Sequence, residues 1–297
     1  MKIQKLVHAD IALLLVTLIW GSTFTIVKKC LVQVSPLLFI SLRFWIATAI
    51  TLAFMPRALR GITLKTLYRG AILSIVLLGG FVFQTLGLQG TSPSRSAFIT
   101  SLAVLLVPVL GFFIFGHRPK LRTLLGVAFA AVGLGLLTLD KLELLFSYGD
   151  TLTLICAVIF ALQILLVGHY LPSSDYRQLV ILQLAGCATT GSLLVGVLET
   201  PFLAWDFMLG VYLFITGVLA TALGFYIQNR AQQFTTPNRT ALIFSLEPFF
   251  AVLFSYLLLG QALTAKEWLG GILVLAGILT SEIKRAPDQL SGSLPAA

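Results

Sequence analysis

The sequence is short of charge. Of its 297 residues only 10% are Asp, Glu, Lys or Arg, against about a quarter in soluble domains. With 58% hydrophobic residues and a mean hydropathy of +1.00, it holds too little polar surface to cover a core of this size in water. Water-soluble globular, disordered and fibrous classes are excluded, and the bilayer is the expected solvent. Cysteine is scarce as well: Cys30, Cys156 and Cys187 lie in or beside apolar runs, with neither metal-ligand spacing nor a disulfide framework. The three histidines, His8, His117 and His169, sit near segment ends and form no cluster, so no metal site is expected. There is no Walker-type phosphate loop, which argues against ATP-driven pumping by this chain alone. No H-E-x-x-H motif or pair of intramembrane aspartates suggests a membrane protease, and no selectivity filter suggests a channel. No cofactor is expected, and the chain is not read as an enzyme.

What is present is a series of long apolar runs. A membrane-crossing helix takes about 20 residues, and the runs predict spans at 10–29, 36–56, 68–88, 94–115, 122–139, 150–169, 177–198, 207–229, 238–259 and 266–284. Continuous apolar runs of this length favour helices over alternating barrel strands. The first run has no A-x-A-like cleavage site, and Trp20-Gly21-Ser22-Thr23 interrupts it, so it reads as a retained span. Residues 286–297 read as a polar, disordered cytoplasmic tail.

Positive charge sets the orientation. With the N-terminus inside, the inner segments carry Lys2, Lys5, Arg57, Arg60, Lys65, Arg69, Arg118, Lys120, Arg122, Arg177, Arg230, Arg239, Lys284 and Arg285. The outer segments carry only Lys28, Lys29, Arg95, Lys141 and Lys266. Both termini are therefore expected in the cytoplasm, with the protein in the inner (cytoplasmic) membrane. The net charge of +9 is accounted for by an inner face that meets anionic lipid headgroups, without nucleic acid.

The chain also repeats itself. Thr91-Ser92-Pro93-Ser94-Arg95-Ser96-Ala97 matches Thr235-Thr236-Pro237-Asn238-Arg239-Thr240-Ala241 at an offset of 144. The same register pairs Gly80 with Gly224, Phe81 with Phe225, Gln84 with Gln228, Ser101 with Ser245, Gly126 with Gly270 and Gly133 with Gly277. An offset of 140 pairs Asp10 with Asp150, Trp20 with Phe160 and Arg43 with Gln183. Coincidences among apolar residues are cheap, but shared Gly, Pro, Gln and Arg are not. The expected fold is an all-α membrane protein of ten transmembrane helices, in two five-helix repeats over 10–140 and 150–285. An odd number of spans forces the second copy to enter upside down. Inverted repeats of this kind are typical of secondary transporters.

Several stretches carry a resemblance. Ile19-Trp20-Gly21-Ser22-Thr23-Phe24, Leu42-Arg43-Phe44, Ala97 to Leu102 with Leu106-Val107-Pro108-Val109-Leu110, Ser245-Leu246-Glu247-Pro248, Leu257-Leu258-Leu259-Gly260 and Trp268-Leu269-Gly270 are similar to the EamA-type, ten-helix members of the drug/metabolite transporter superfamily. The resemblance covers nearly the whole chain. It implies export or exchange of small metabolites, amino acids or drug-like compounds, with substrate in a mid-membrane cavity lined by helices one, three, four, six, eight and nine. The sequence departs from the family at Gln261, where an acidic residue is usual.

Glu247 is the only acidic residue well inside a span. A carboxylate at that depth costs about 2.5–3.5 kcal/mol on insertion scales, which makes it a candidate for substrate binding or proton coupling; the plainer reading is a neutral, packed carboxylic acid. Arg43 is the only basic residue inside a span. It could bind a substrate carboxylate, pair with Glu247, or snorkel to the outer headgroups. Gln84 and Gln228, with Gln163 beside them, are amides for a cavity or for helix–helix hydrogen bonds. Trp20, Phe81, Phe225 and Tyr226 are candidate aromatic walls, against a background of 22 Phe. Pro108 and Pro248 are expected to kink helices four and nine, with different bends because they are not repeat-equivalent. Ser92-Pro93 and Thr236-Pro237 read as helix starts. The seven-residue spacings Gly126–Gly133 and Gly270–Gly277 read as close-packing faces. The function expected is a secondary transporter that moves a small-molecule substrate by alternating access. A membrane-embedded enzyme acting on an apolar substrate and a non-transporting structural subunit are the alternatives.

Overall fold

A backbone amide in hydrocarbon has no water to bond, so long apolar runs must close their own hydrogen bonds as helices. The computed structural model describes residues 2–116, 118–138, 147–259 and 265–282. In chain order the helices are α1 (Lys2–Cys30), α2 (Pro36–Phe54), α3 (Leu64–Gln89), α4 (Pro93–Ser101), α5 (Ala103–Phe115), α6 (Leu121–Thr138), α7 (Tyr148–Tyr170), α8 (Tyr176–Leu198), α9 (Phe207–Phe214), α10 (Gly224–Gln232), α11 (Pro237–Phe244), α12 (Glu247–Leu259) and α13 (Ala265–Glu282). A π-helical stretch, Ile215–Leu223, joins α9 to α10. Among the described residues the one extended pairing is an isolated antiparallel bridge between Val34 and Leu203.

Among the described residues seven stretches are long and apolar enough to cross a membrane: Gln4–Cys30, Pro36–Phe54, Leu64–Gln89, Pro93–Phe115, Tyr148–Ser173, Tyr176–Leu198 and Phe207–Gln232. The sequence predicts ten. The shortfall lies in α6 and α13, whose apolar parts are short, and in α11–α12, which is interrupted. The chain is an all-helical, multi-pass membrane protein. His117, Lys141, Gln261, Lys284, Arg285 and the expected tail at 286–297 lie outside the described residues.

The helices pack in matched pairs. When the two halves are exchanged, α3 against α7 becomes α10 against α1, α3 against α8 becomes the π-helical stretch against α2, and α1 against α12 becomes α7 against α5. The contacts of α6 with α13 and of α2 with α8 map onto themselves. Three buried apolar clusters result among the described residues, and Trp20 packs against the two larger ones.

The contact between α6 and α13 shows the exchange at atomic level. A Cβ on Gly133 would lie 2.5 Å from the Gly270 carbonyl oxygen, and one on Gly277 would lie 2.5 Å from that of Gly126. Gly126 and Gly270 are repeat mates, as are Gly133 and Gly277, so each helix presents the same pair to the other. The earlier glycine of one helix meets the later glycine of the other, which makes the two antiparallel and related by a local two-fold axis across them.

The helix ends follow the same rule. Ser92 Oγ accepts from Arg95 N and Thr236 Oγ1 from Arg239 N, both at 3.3 Å, with Pro93 and Pro237 opening α4 and α11. These are the starts the sequence predicts. The two arginines then cross between the halves. Arg95 pairs with Asp150 at 2.7 Å, and Arg239 holds Asp10 bidentately, its Nε donating at 2.8 Å. Thr91 and Ser147 add further bonds to Asp150, and Ser147 and Asp150 together form a capping box at the start of α7. Each half thus supplies the counter-ion for the other.

Gly133→Leu and Gly277→Leu should each destabilise the bundle by about 1–3 kcal/mol through overpacking. Gly196→Leu, with nothing within 4 Å of its Cβ position, should stay within about 0.5 kcal/mol of the parent. Unfolding midpoints in detergent are the measurement.

Candidate functional site

The site is built where two helices break. The stretch from Pro93 to Phe115 is interrupted at Leu102, and the stretch from Pro237 to Leu259 at Ser245 and Leu246. The two breaks are repeat-equivalent. In each, a leucine amide reaches back three residues, Leu102 N to Ile99 O and Leu246 N to Ile243 O, both at 3.1 Å. In each, a serine before the break bonds to its own helix, Ser101 Oγ to Ala97 O at 2.9 Å and Ser245 Oγ to Leu242 O at 2.7 Å.

The prolines act differently from the sequence expectation. Pro248 is the second residue of α12, where a missing N–H costs nothing because the first helical amides have no intrahelical partner anyway. Pro108 lies inside a continuous α5, well past the break. The expectation is corrected for Pro248, which opens a helix and does not interrupt one; Pro108 does lie inside a helix, and the two interruptions sit at equivalent positions centred on neither proline.

Between the breaks lies a cavity with about 70 Å³ of space for the centres of water-sized molecules. Its lining comes in repeat pairs, among them Trp20 with Phe160, Thr23 with Gln163, Phe81 with Phe225, Gln84 with Gln228, Ser101 with Ser245, Thr100 with Phe244, and Ala103 with Glu247. The walls are aromatic. Trp20 meets Phe244 and Phe225 at ring-centroid distances of 4.9 and 5.4 Å, and Phe81 meets Phe44, Phe160 and Phe225 at 5.1, 5.5 and 6.0 Å. Two glycines make room for the rings. A Cβ on Gly224 would lie 2.8 Å from Trp20 Nε1, and one on its mate Gly80 would lie 2.3 Å from the Phe160 ring.

Polar groups face this aromatic space. Arg43 is buried, with its guanidinium carbon 4.5 Å from the centre of the Phe81 ring and its Nε donating to Thr221 Oγ1 at 2.5 Å. The π-helical stretch explains the acceptor. A wider turn takes carbonyls out of the usual ladder, so that Thr216 O accepts from Thr221 Oγ1 and Ala220 O accepts from Trp20 Nε1, both at 2.7 Å. Arg43 neither snorkels nor pairs with Glu247, because Thr221 and Phe81 hold it inside. Glu247 is buried at the second break, and among the described residues no hydrogen bond or ion pair reaches its carboxyl group.

Amides close one end. Gln228 Nε2 donates to Gln163 Oε1 at 3.0 Å and to Gln232 Oε1 at 3.1 Å, while Gln232 Nε2 donates to Ile164 O at 3.0 Å. Gln163 Nε2 and Gln228 Oε1 remain without partners. The repeat-related positions at the other end are Thr23, Gln84 and Leu88, where Gln84 only reaches Thr100 at 3.5 Å. The lining is correspondingly lopsided. Val27, Arg43, Thr85 and Leu88 line the cavity, whereas their mates Val167, Gln183, Asn229 and Gln232 are buried outside it. Val104 extends the same bias, and Ala241, lining without Ala97, runs against it.

Of the residues singled out from sequence, Glu247, Arg43, Gln84, Gln228, Gln163, Trp20 and Phe81 come together on this cavity. Tyr226 does not. One residue is about 100° around a helix, so with Phe225 and Gln228 facing in, Tyr226 turns away. Its ring meets that of Tyr176 at a tilt, with centroids 5.8 Å apart, and its hydroxyl accepts from Arg230 at 3.0 Å. Thr221, Thr100 and Phe244 were not foreseen; the repeat register could have found the last two through Ser101 and Ser245, but nothing marks Thr221.

Comparison with known proteins covers the chain in two halves. Residues 8–139 and 147–281 each match the model of the EamA-like transporter family. An "Uncharacterized transporter" of Archaeoglobus fulgidus is 33% identical over 94% of this chain and 87% of its own. "Uncharacterized transporter YyaM" of Bacillus subtilis is 27% identical over 92% and 94%. A "Probable amino-acid metabolite efflux pump" of Salmonella typhimurium is 26% identical over 89% and 91%. A solved crystal structure, 17% identical, superposes with a TM-score of 0.76 over 93% of this chain and 96% of that one, a likeness of fold.

Thr221→Val leaves the buried guanidinium without its acceptor and should cost about 1–3 kcal/mol of stability. Thr221→Ser keeps the oxygen and should recover most of it. Unfolding midpoints of the three chains in detergent decide the matter.

Proposed function

The chain belongs to the EamA-like transporter family, and on that premise we propose that it is a secondary transporter exporting small metabolites, amino acids or drug-like compounds by alternating access. It is a membrane transporter by family and by fold; the cargo class, direction and mechanism are the proposal. The observation that carries it is a central cavity whose lining is drawn, largely in repeat pairs, from both halves of a duplicated chain. A carrier needs two states of similar energy that open to opposite sides, and two related halves supply them. The membrane arrangement proposed is ten crossings in two inverted five-helix repeats over 10–140 and 150–285. It places both termini in the cytoplasm and the chain in the inner membrane. In this arrangement the amide chain through Gln163, Gln228 and Gln232 lies toward the cytoplasm, and the end at Val27 and Leu88 faces outward.

The cargo is a compact amphipathic molecule. Arg43 offers a carboxylate a charge-assisted donor, and Glu247 offers an ammonium a counter-charge. The spare atoms Gln163 Nε2 and Gln228 Oε1 offer one donor and one acceptor. Trp20, Phe81, Phe160, Phe225 and Phe244 surround these groups with apolar surface, suited to an apolar or aromatic side chain. The name printed for the Salmonella relative supports the amino-acid class. An enzymatic reading finds little support here. Glu247 is the only carboxylic acid among the lining residues, and Ser101 and Ser245 bond to backbone carbonyls of their own helices. Proton coupling is assigned to Glu247, since a buried carboxyl group with no fixed partner can exchange a proton for an ammonium.

The test is radiolabelled phenylalanine flux in proteoliposomes, with and without a pH gradient. Flux that rises with the gradient, and a Glu247→Gln chain whose residual flux ignores the gradient, are the expected results. Equal flux in both conditions with full activity of Glu247→Gln removes proton coupling. Absence of flux removes phenylalanine as a cargo.

A further inference from the structure

Arg43 has a counterpart that does nothing in this state. Gln183 stands at the repeat-equivalent position on α8, which packs on α2 and α3 as α2 packs on α8 and the π-helical stretch. Arg43 lines the cavity; Gln183 is fully buried, and neither its Oε1 nor its Nε2 has a hydrogen-bond partner. The reason lies opposite. The acceptor of Arg43 is Thr221, and the residue equivalent to Thr221 is Leu77, a fully buried side chain with nothing to offer an amide. A buried, unpaired amide forgoes the hydrogen bonds that water would give it, so this state bears a cost that a state hydrating Gln183 would escape.

The neighbours point the same way. Val27, Thr85 and Leu88 line the cavity with Arg43, and their mates Val167, Asn229 and Gln232 are closed away with Gln183. If the halves trade conformations, the second group becomes the lining. Building on the carrier reading, we propose that Gln183 is the cargo-contacting residue of the opposite-facing state, taking there the place that Arg43 holds here. Cargo then meets a cation at that position from one face of the membrane and a neutral amide from the other. An anionic group binds more tightly in the state where Arg43 lines the cavity, and the amide suits the neutral hydrogen-bonding groups that remain.

The test needs no knowledge of the cargo. Full-length chains with Cys30, Cys156 and Cys187 replaced by Ala carry one new cysteine each: Thr85→Cys, Val167→Cys or Gln183→Cys. A membrane-impermeant maleimide is presented to one face of sealed vesicles at a time, and each chain is first shown to elute as a single species in detergent. Thr85→Cys should label from one face, with Val167→Cys and Gln183→Cys labelling from the other, each at least about tenfold faster than from the reverse side. Labelling of Val167→Cys without Gln183→Cys overturns the inference and leaves the carrier reading intact. If neither labels, both fall. A second variant gives an independent reading. Gln183→Met, in the Val167→Cys chain, removes the unpaired amide at similar volume and so favours the present state. Labelling at position 167 should then drop about fivefold or more. An unchanged rate means that the amide is packing alone, and the inference fails.

Discussion

A carboxylate at the mouth of a membrane helix cannot be left bare, because removing it from water costs several kcal/mol unless a cation and further donors take the place of its hydration. Asp10 and Asp150 open the two halves of this chain, and each is held by an arginine that opens a broken helix of the other half. Neither half can satisfy its own charge. The glycine contacts of α6 with α13 repeat this exchange in the apolar region, as do the rings of Trp20 and Phe160 on Gly224 and Gly80. These three kinds of contact are distributed along the bundle and all obey one exchange. The central cavity is what the exchange leaves unfilled, because both broken helices stop there.

Departures from that symmetry gather around the cavity. The π-helical stretch occurs in one half only; its equivalent lies within the regular helix α3. It frees Ala220 O for the Trp20 indole and positions Thr221 for Arg43. The amide chain from Gln232 through Gln228 to Gln163 is likewise unmatched, since the equivalent positions are Leu88, Gln84 and Thr23. Glu247 stands where the first half has Ala103. A perfectly symmetric carrier would have equal affinity on both faces. In the proposed carrier, these single-copy residues are what would make the two faces of the membrane differ.

Much of the fold was legible in the sequence because duplication writes the same Gly, Pro, Gln and Arg twice at one register. The helix starts at Pro93 and Pro237 and the close-packing faces of α6 and α13 followed from such matches, though not that these two faces meet each other. So did the meeting of Gln84 and Gln228 on one cavity. Tyr226 was misplaced because a single-residue step turns a helix through about 100°, and an aromatic residue next to a lining one carries no mark of that turn. Pro248 was read as a kink because an apolar run does not announce a break two residues earlier. Thr221 was invisible for a related reason: Ile215–Leu223 reads as ordinary apolar helix, and its widened turns depend on tertiary contacts with α1 and α2. Arg43 could be placed near the membrane interior from its position in a span, but its inward direction needed Phe81 and Thr221 in space.

The central claim is that the second half is the first half turned over across the membrane. Gln89 and Gln233 are repeat mates, both exposed, each at the loop that precedes a broken helix. Single cysteines at these two positions in a cysteine-free chain, reacted with an impermeant polyethylene glycol maleimide from one side of intact cells, test the claim most directly. Modification of position 89 from outside, with position 233 reached only after the cells are opened, is the predicted result. Modification of both from the same side would contradict it.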